Sequence, residues 1–409
     1  VTPNHISTNP RLVKEASALS EAGYKVHLVF SQHVRNGYTE DLKILQRNPV
    51  WTFDYLDWSG GSLRSKSRRV FAGISNKASS FLQKKFNWLL LEKLVLNRNY
   101  FFQLKAALRS DADFFIAHNA GALAVAADAA EKLGRGFSFD AEDFHRGQLL
   151  PEKEKVAVTR LENHYLPKAT YVSAASPLIG KEYERIYGIN PIVINNVFPI
   201  IQHPPKQEDI KSSALKLFWF SQSVGLDRGL QDVFAAMKYA ESLDIEFHIF
   251  GNVIPSVLNA FTTVIADLNF HRKPKIYFRG TLSPEELLQE ASNYDVGLAI
   301  EPGFCRNNEV ALSNKLFTYL LGGNAVIFSD TPAQAHFYQH HSSIGFLYKA
   351  KDYVALAGHL ATYFHDKELL QTHKSNSLRL FKEKHNWDLV KKEFLWQVST
   401  SLERGRVHA

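Results

Sequence analysis

The chain has 409 residues and a single cysteine, Cys305. One thiol cannot close an intramolecular disulfide, and it excludes a structural zinc site built from several thiolates. A reducing, cytoplasmic setting is the reading that follows. No apolar run approaches the roughly 18 residues of a membrane span, so an integral helical membrane protein is excluded. There is no short internal repeat and no low-complexity segment. Hydrophobic residues at 45% and charged residues at 22% are ordinary for a globular protein, which excludes disorder, collagen and coiled coil as dominant themes. No signal peptide is visible. The chain opens on Val1 rather than Met, so a native N-terminus upstream, with part of a first strand, is expected.

Acidic residues are almost missing from one stretch. Residues 61–110 carry eleven Lys or Arg against one acid, Glu92. That window holds +10 of charge, whereas the whole chain is +7, so the remainder is slightly negative. A near-neutral body with one basic patch implies a local anionic partner rather than general nucleic-acid binding. The patch also contains Phe81, Phe86, Trp88 and Leu89 to Leu91. Aromatic and basic residues on one helix suit an anionic membrane surface, and the alternative is a helix with one buried and one solvated side.

What is abundant is alternation of strands and helices. Asn9-Pro10 opens a helical pattern in which Leu12, Ala16 and Leu19 share a face, and Gly23 supplies its stop. Strands are expected at Lys25 to Phe30, Phe114 to Ala117, Phe137 to Phe139, Thr170 to Ser173 and Ile192 to Ile194, with a helix from Ala120 to Leu133. Pro199, Pro204 and Pro205 then sit in a polar stretch running to Ser213, which reads as a linker. A second series follows, with strands at Leu217 to Phe220, Glu246 to Phe250, Lys275 to Phe278, Val296 to Ile300 and Ala325 to Phe328. Leu230, Val233, Phe234 and Met237 mark a helix at i, i+3, i+4, i+7. Two such blocks mean two parallel sheets with helices on both faces, and ligands of such sheets bind beyond the C-terminal strand ends. The expected division is 1–198, 199–385 and a C-terminal helix in 386–409 that packs back on the first block.

Three stretches carry a family resemblance. The first is Asn9-Pro10-Arg11-Leu12-Val13-Lys14-Glu15-Ala16, followed by Gly23-Tyr24-Lys25-Val26. The second runs from Phe220 to Leu230 and contains Asp227-Arg228-Gly229-Leu230. The third is Ser313-Asn314-Lys315-Leu316-Phe317-Thr318-Tyr319 with Gly322-Gly323-Asn324-Ala325-Val326-Ile327. In order and spacing these resemble GT-B glycosyltransferases, specifically glycosyltransferase family 4, over nearly the whole chain. The resemblance implies two Rossmann-like, doubly wound domains facing a central cleft. It also implies a nucleotide-sugar donor on the second domain, a glycan or lipid-linked acceptor, retention of anomeric configuration, and no metal or other cofactor.

The third stretch has a physical reading of its own. Ser313 can cap a helix whose free N–H groups form an anion site, and Lys315 adds positive charge in its first turn beside Asn314. The alternative is an amphipathic helix with a solvated Lys. The family usually has Glu where Thr318 stands; Thr donates one hydrogen bond but cannot accept two as a carboxylate does. Glu301 and Glu309 match the family's E-x7-E spacing literally, but in register the second Glu falls on Thr318. Glu301 ends a strand and Glu309 lies in the loop after it; each is a donor-site candidate or a solvated loop carboxylate. Arg228 stands at a strand-to-helix turn, where its fork can clamp a leaving diphosphate. Ser221-Gln222 replace a second Arg that the family often carries. Gly251 and Gly280 end strands and would let backbone approach the nucleotide, or are plain turn glycines.

In the first block His118 ends a strand, and the resemblance implies contact with the transferred sugar. Asp140-Ala141-Glu142-Asp143-Phe144-His145-Arg146 follows another strand, placing Glu142 and Asp143 for acid–base work or acceptor binding, unless the loop pairs its own charges. Asp111-Ala112-Asp113 spells a D-x-D triplet but precedes its strand, and reads as a turn. Asn195-Asn196 resembles the family's domain junction. A sugar-nucleotide epimerase of the same architecture and a non-catalytic binding homologue are the competing functional classes.

Overall fold

In the computed structural model the described residues are 1–32, 35–58, 63–83, 85–86, 88–200 and 214–407. Lys84, the side chain of Arg64 and the linker stretch from Pro204 to Ser213 lie outside them. The chain divides into one unit of Val1–Asn195 with Lys391–Ala409 and another of Asn196–Val390. The division therefore falls between Asn195 and Asn196.

The first unit begins with helix Pro10–Glu21, whose Asn9 cap accepts from the Leu12 N–H at 2.9 Å. Strands β1 (His27–Gln32) and β2 (Thr52–Asp57) pair in parallel. Strands β3 (Phe114–His118), β4 (Gly136–Ala141), β5 (Tyr171–Ala174) and β6 (Ile192–Val193) form a second parallel sheet in that order. Residues 1–4 join the two sheets. The Thr2 N–H donates to Val29 and the Ser31 N–H to Asn4, while the His118 N–H donates to Val1. Helix Ala120–Leu133 packs on β3 and β4 and buries Ala122 through Ala130, because its small side chains allow close approach to the sheet. The basic window becomes three helices, Leu63–Leu82, Leu89–Leu96 and Tyr100–Arg109.

In the second unit β7 (Leu215–Ser223), β8 (Ile245–Asn252), β9 (Lys275–Arg279), β10 (Val296–Ala299), β11 (Ala325–Ser329) and β12 (Gly345–Tyr348) form one parallel sheet. Its order is β12-β11-β10-β7-β8-β9. The chain starts at the centre, winds outward to β9, then returns to β10 and winds the other way. The switch point lies between β7 and β10, where doubly wound sheets open a crevice for ligands. Trp219, Phe234, Phe247 and Phe261 are fully buried around this sheet.

The structure adds strands β2 and β12, which the sequence pattern did not indicate, lengthens β3, β4, β7, β8, β9 and β11, shifts β1 and β5, and shortens β6 and β10 by one residue each. The last helix, Trp387–Val407, begins in the second unit and passes to the first at Lys391, whose Nζ lies 3.3 Å from Glu21. No helix among the described residues is long and apolar enough to cross a membrane.

Candidate functional site

The C-terminal strand ends of the first unit gather charge. His118 on β3, Asp140 on β4 and Ser173 on β5 stand abreast in the sheet register. Arg11, in the first turn of its helix, forks onto Asp140 with Nε–Oδ2 at 2.5 Å and Nη2–Oδ1 at 2.7 Å, and also donates to the Ile194 carbonyl. Ser173 Oγ donates to Asp140 Oδ1 at 2.6 Å. His118 bridges carboxylates from both ring nitrogens. Nε2 is 3.3 Å from Glu15, and Nδ1 is 3.3 Å from both Asp140 and Glu142. Arg11, Glu15, His118 and Asp140 are all buried. Glu142, whose side chain is 21% exposed, gives the network its contact with solvent and accepts from Asn9 at 2.5 Å.

Burial alone would lower the His118 pKa, but Glu15, Asp140 and Glu142 outweigh it and hold the imidazolium up to about 9. Burial first, then Asp140, pushes Glu15 up to about 7. Burial opposes the charge on Asp140, yet Arg11 and His118 keep it well below the usual carboxylate range. Glu15, His118 and Asp140 are close enough to bracket a cation. The two carboxylates, however, address opposite nitrogens of one ring, and Arg11 already occupies Asp140. The geometry is that of an imidazolium bridging carboxylates.

His118 ends its strand as expected, and its ring is engaged by carboxylates on both sides. Charge carried into a nonpolar interior must be paired, and the pairing uses up the ring. The Asp140–Arg146 stretch is also split. Asp143 accepts from Gln148 at 3.0 Å and Arg146 donates to Glu162 at 3.1 Å, whereas Asp140 and Glu142 join the network around His118. Asn119, next to His118, holds φ 69° and ψ 151°, a backbone region that costs a residue with a Cβ about 1–3 kcal/mol. Asp111, at φ 47°, turns the chain as expected, and Asp113 lies 3.6 Å from Arg135.

In the second unit the loops after β7, β10, β11 and β12 surround a cavity of about 430 Å³ lined by residues that include Leu226, Gly229, Glu301, Pro302, Phe304 and Tyr348. Helix Asn314–Gly322 starts beside β10, capped by Ser313 and ended by Gly323 at φ 66°. Lys315 Nζ lies 2.6 Å from Glu301, with the two side chains 10% and 11% exposed, and 5.4 Å from the centre of the Trp219 ring. A solvated Lys315 is thus replaced by a buried, paired one, and Glu301 is its partner rather than a free loop carboxylate. Thr318 is fully buried and donates to the Asn314 carbonyl at 3.2 Å, so its hydroxyl is spent within its own helix. Asn314 is exposed in the first turn. Glu309 pairs with Arg306 at 2.8 Å near the surface.

Arg228 precedes Gly229, which at φ 76° caps the next helix. Its Nε is buried without a hydrogen-bond partner, 3.8 Å from Asp227. Gly251 belongs to the fold. At φ 143°, an added Cβ would fall 2.1 Å from the Ser221 carbonyl, where β7 and β8 shift register. Around Gly280 there is open space. Arg11 and Glu15 had no assigned role in the sequence reading, although they form an i, i+4 charged pair beside the apolar stripe of Leu12 and Ala16. That adjacency was the available signal.

The two parallel α/β units have the GT-B fold of glycosyltransferases. Similar solved structures include HepE of Anabaena in complex with UDP, at 14% identity over 95% of each chain and a TM-score of 0.68. HepE has also been solved with UDP-glucose. A glycosyltransferase from Rickettsia africae shares 14% identity over 98% of this chain and 97% of its own, with a TM-score of 0.69. Sucrose-phosphate synthase from Thermosynechococcus elongatus shares 14% over 98% and 92%, with a TM-score of 0.61. No family model and no curated protein matches the sequence.

Proposed function

We propose that this chain is a retaining, metal-independent glycosyltransferase that moves a sugar from a nucleotide-sugar donor to an acceptor hydroxyl. The observation that carries the reading is the Arg228 Nε, buried without a hydrogen-bond acceptor at the switch point of a GT-B unit. An N–H buried without an acceptor is costly, and a diphosphate oxygen supplies the acceptor it lacks. The start of helix Asn314–Gly322 and the Lys315–Glu301 pair stand at the neighbouring strand end. HepE, of the same fold, holds UDP or UDP-glucose.

In this reading Arg228 and the helix N-terminus stabilise the charge that develops on the departing diphosphate. Lys315 reaches the phosphates by exchanging Glu301 for them. Attack on the same face, assisted by the departing phosphate, gives retention. His118 acts through Glu142, the network member open to solvent, which positions the incoming hydroxyl. The acceptor is a glycan or lipid-linked alcohol on the cytoplasmic side, as in polysaccharide assembly by family 4 enzymes, and no nucleic acid is involved.

Calorimetry with UDP tests the donor site. Replacing Arg228 with Ala is expected to weaken binding by about 1.5–3 kcal/mol, and unchanged affinity removes Arg228 from the site. Turnover of several nucleotide sugars with and without acceptor alcohols, read by NMR, tests the reaction. A new glycoside of unchanged anomeric configuration supports it, and inversion makes Glu142 or Asp143 the general base. Conversion of the donor without acceptor indicates an epimerase. Binding without turnover indicates a non-catalytic homologue, which the hydrogen bond of Thr318 inside its own helix would favour.

A further inference from the structure

Helix Leu63–Leu82 is inverted. Positions 72, 76, 79 and 83 face inward at i, i+4, i+7, i+11, and they are Ala, Asn, Ser and Gln. Ala72 packs with Leu56 and Trp58. Asn76 donates to the Leu94 and Val95 carbonyls at 2.7 and 3.1 Å, and Gln83 to the Lys153 carbonyl at 3.0 Å. The helix is therefore seated mainly by small and hydrogen-bonding side chains. Its outer face carries the large apolar ones. Val70, Phe71, Ile74 and Phe81 are each between 60% and 66% exposed. A surface helix ordinarily shows the opposite arrangement.

The exposed face continues past the helix. Phe86 and Trp88 stack with ring centres 4.9 Å apart, and both are exposed. Lys66, Lys77 and Lys85 are exposed along the same stretch, Lys85 with its Nζ 5.4 Å from the centre of the Phe81 ring. From Trp58 to Leu91 the sequence contains no Asp or Glu. The next acid, Glu92, is buried and paired with Arg160.

We propose that this surface docks on an anionic lipid bilayer, with the aromatic and aliphatic side chains entering the headgroup region and the basic residues meeting lipid phosphates. This goes beyond the proposed transfer reaction and does not depend on it. Charge decides the occupant. A second copy would set the same acid-free surface against itself, bringing like charges together in a two-fold contact. An anionic membrane neutralises the rim and accepts the apolar centre. Lys93, paired with Asp128 at 2.5 Å, and Arg109, paired with Asp54 at 3.1 Å, are left out of the docking set.

The test is co-sedimentation of the whole chain with vesicles of equal phosphatidylglycerol and phosphatidylcholine, and with phosphatidylcholine alone. Binding to the anionic vesicles at 0.1 M salt is expected to be at least tenfold stronger. Replacing Lys66, Lys77 and Lys85 together by Ala should reduce it about a hundredfold, or roughly fivefold per charge. At 1 M salt the Debye length falls to about 3 Å, so a smaller apolar remainder should persist and vanish in the Ile74→Glu, Phe81→Glu double variant. Retention of the wild-type circular dichroism spectrum establishes that the variants are folded. Equal, negligible pelleting in both vesicles overturns the proposal. So does sedimentation of a dimer that Ile74→Glu dissociates, because the face is then an interface between copies.

Discussion

Arg11, Glu15, His118 and Asp140 are four ionisable groups withdrawn from water together, and their protonation is linked to folding. The folded pKa of His118, about 9, is above its usual 6.5, so its contribution is complete below pH 6.5 and is lost as pH rises through 9. Glu15, raised to about 7, acts in the same direction between pH 4.5 and 7. Asp140, held low, acts in reverse and loses its contribution only in acid. Lys14, pushed down to about 7 by burial and by Arg11, favours folding as pH rises from 7 toward 10.5 and so opposes His118 in that window. A wild-type pH profile mixes these signs, whereas a variant comparison isolates one group. Replacing His118 with Gln should cost most below pH 6.5, and the difference from wild type should shrink by roughly 3 kcal/mol by pH 9.5 in urea denaturation. A difference independent of pH would mean that folding leaves the pKa of the ring unshifted. Little of this network could be read from the sequence. Arg11 and Asp140 are 129 positions apart, and only strand register with the first helical turn brings them together. His118 and Glu142 stood out as strand-end residues, but Glu15, the partner on the other side of the ring, did not.

Elements were more legible than contacts, for local reasons. Helix Asn314–Gly322 announces itself through the Ser313 cap and the left-handed Gly323, and helix Ala120–Leu133 through its alanine run and Gly134. Strand β2 was missed because Phe53 and Tyr55 alternate with polar residues beside a charged stretch, so a half-exposed strand looked like loop. Strand β12 has four residues, too few for a period. Helix Leu63–Leu82 shows the limit of periodicity. Its apolar spacing marks a helix but not which face is inward, because here small and polar residues take the buried side. Substitution separates the faces. Ala72→Glu would bury a charge against Leu56 and Trp58 and should cost at least about 3 kcal/mol, whereas Ile74→Glu should stay within about 0.5 kcal/mol. Thermal denaturation of both variants is the measurement. Equal destabilisation would show that the outer face is covered in solution and would count against lipid docking.

At the scale of the whole molecule, the two alternating blocks gave the α/β class and the existence of two sheets, while strand order needed the structure. The sequence does not show that the second unit starts at the centre of its sheet, and that placement is what puts Arg228 and Glu301 at a switch point. In the buried network of the first unit Arg11 has its acceptors, both oxygens of Asp140 and the Ile194 carbonyl, whereas Arg228 Nε lacks one. Each unit therefore predicts a different response to nucleotide. Ligand that binds only the folded second unit adds about 2.7 kcal/mol to its stability at a hundredfold excess over Kd. Hydrogen exchange read by mass spectrometry should then show slowed amides around 226–231 and 300–318 when UDP is added. Segments around His118 and Asp140 should respond instead to pH between 6.5 and 9, with or without UDP. Protection by UDP confined to the strand ends of the first unit would move the donor site there and remove Arg228, Lys315 and Glu301 from it together.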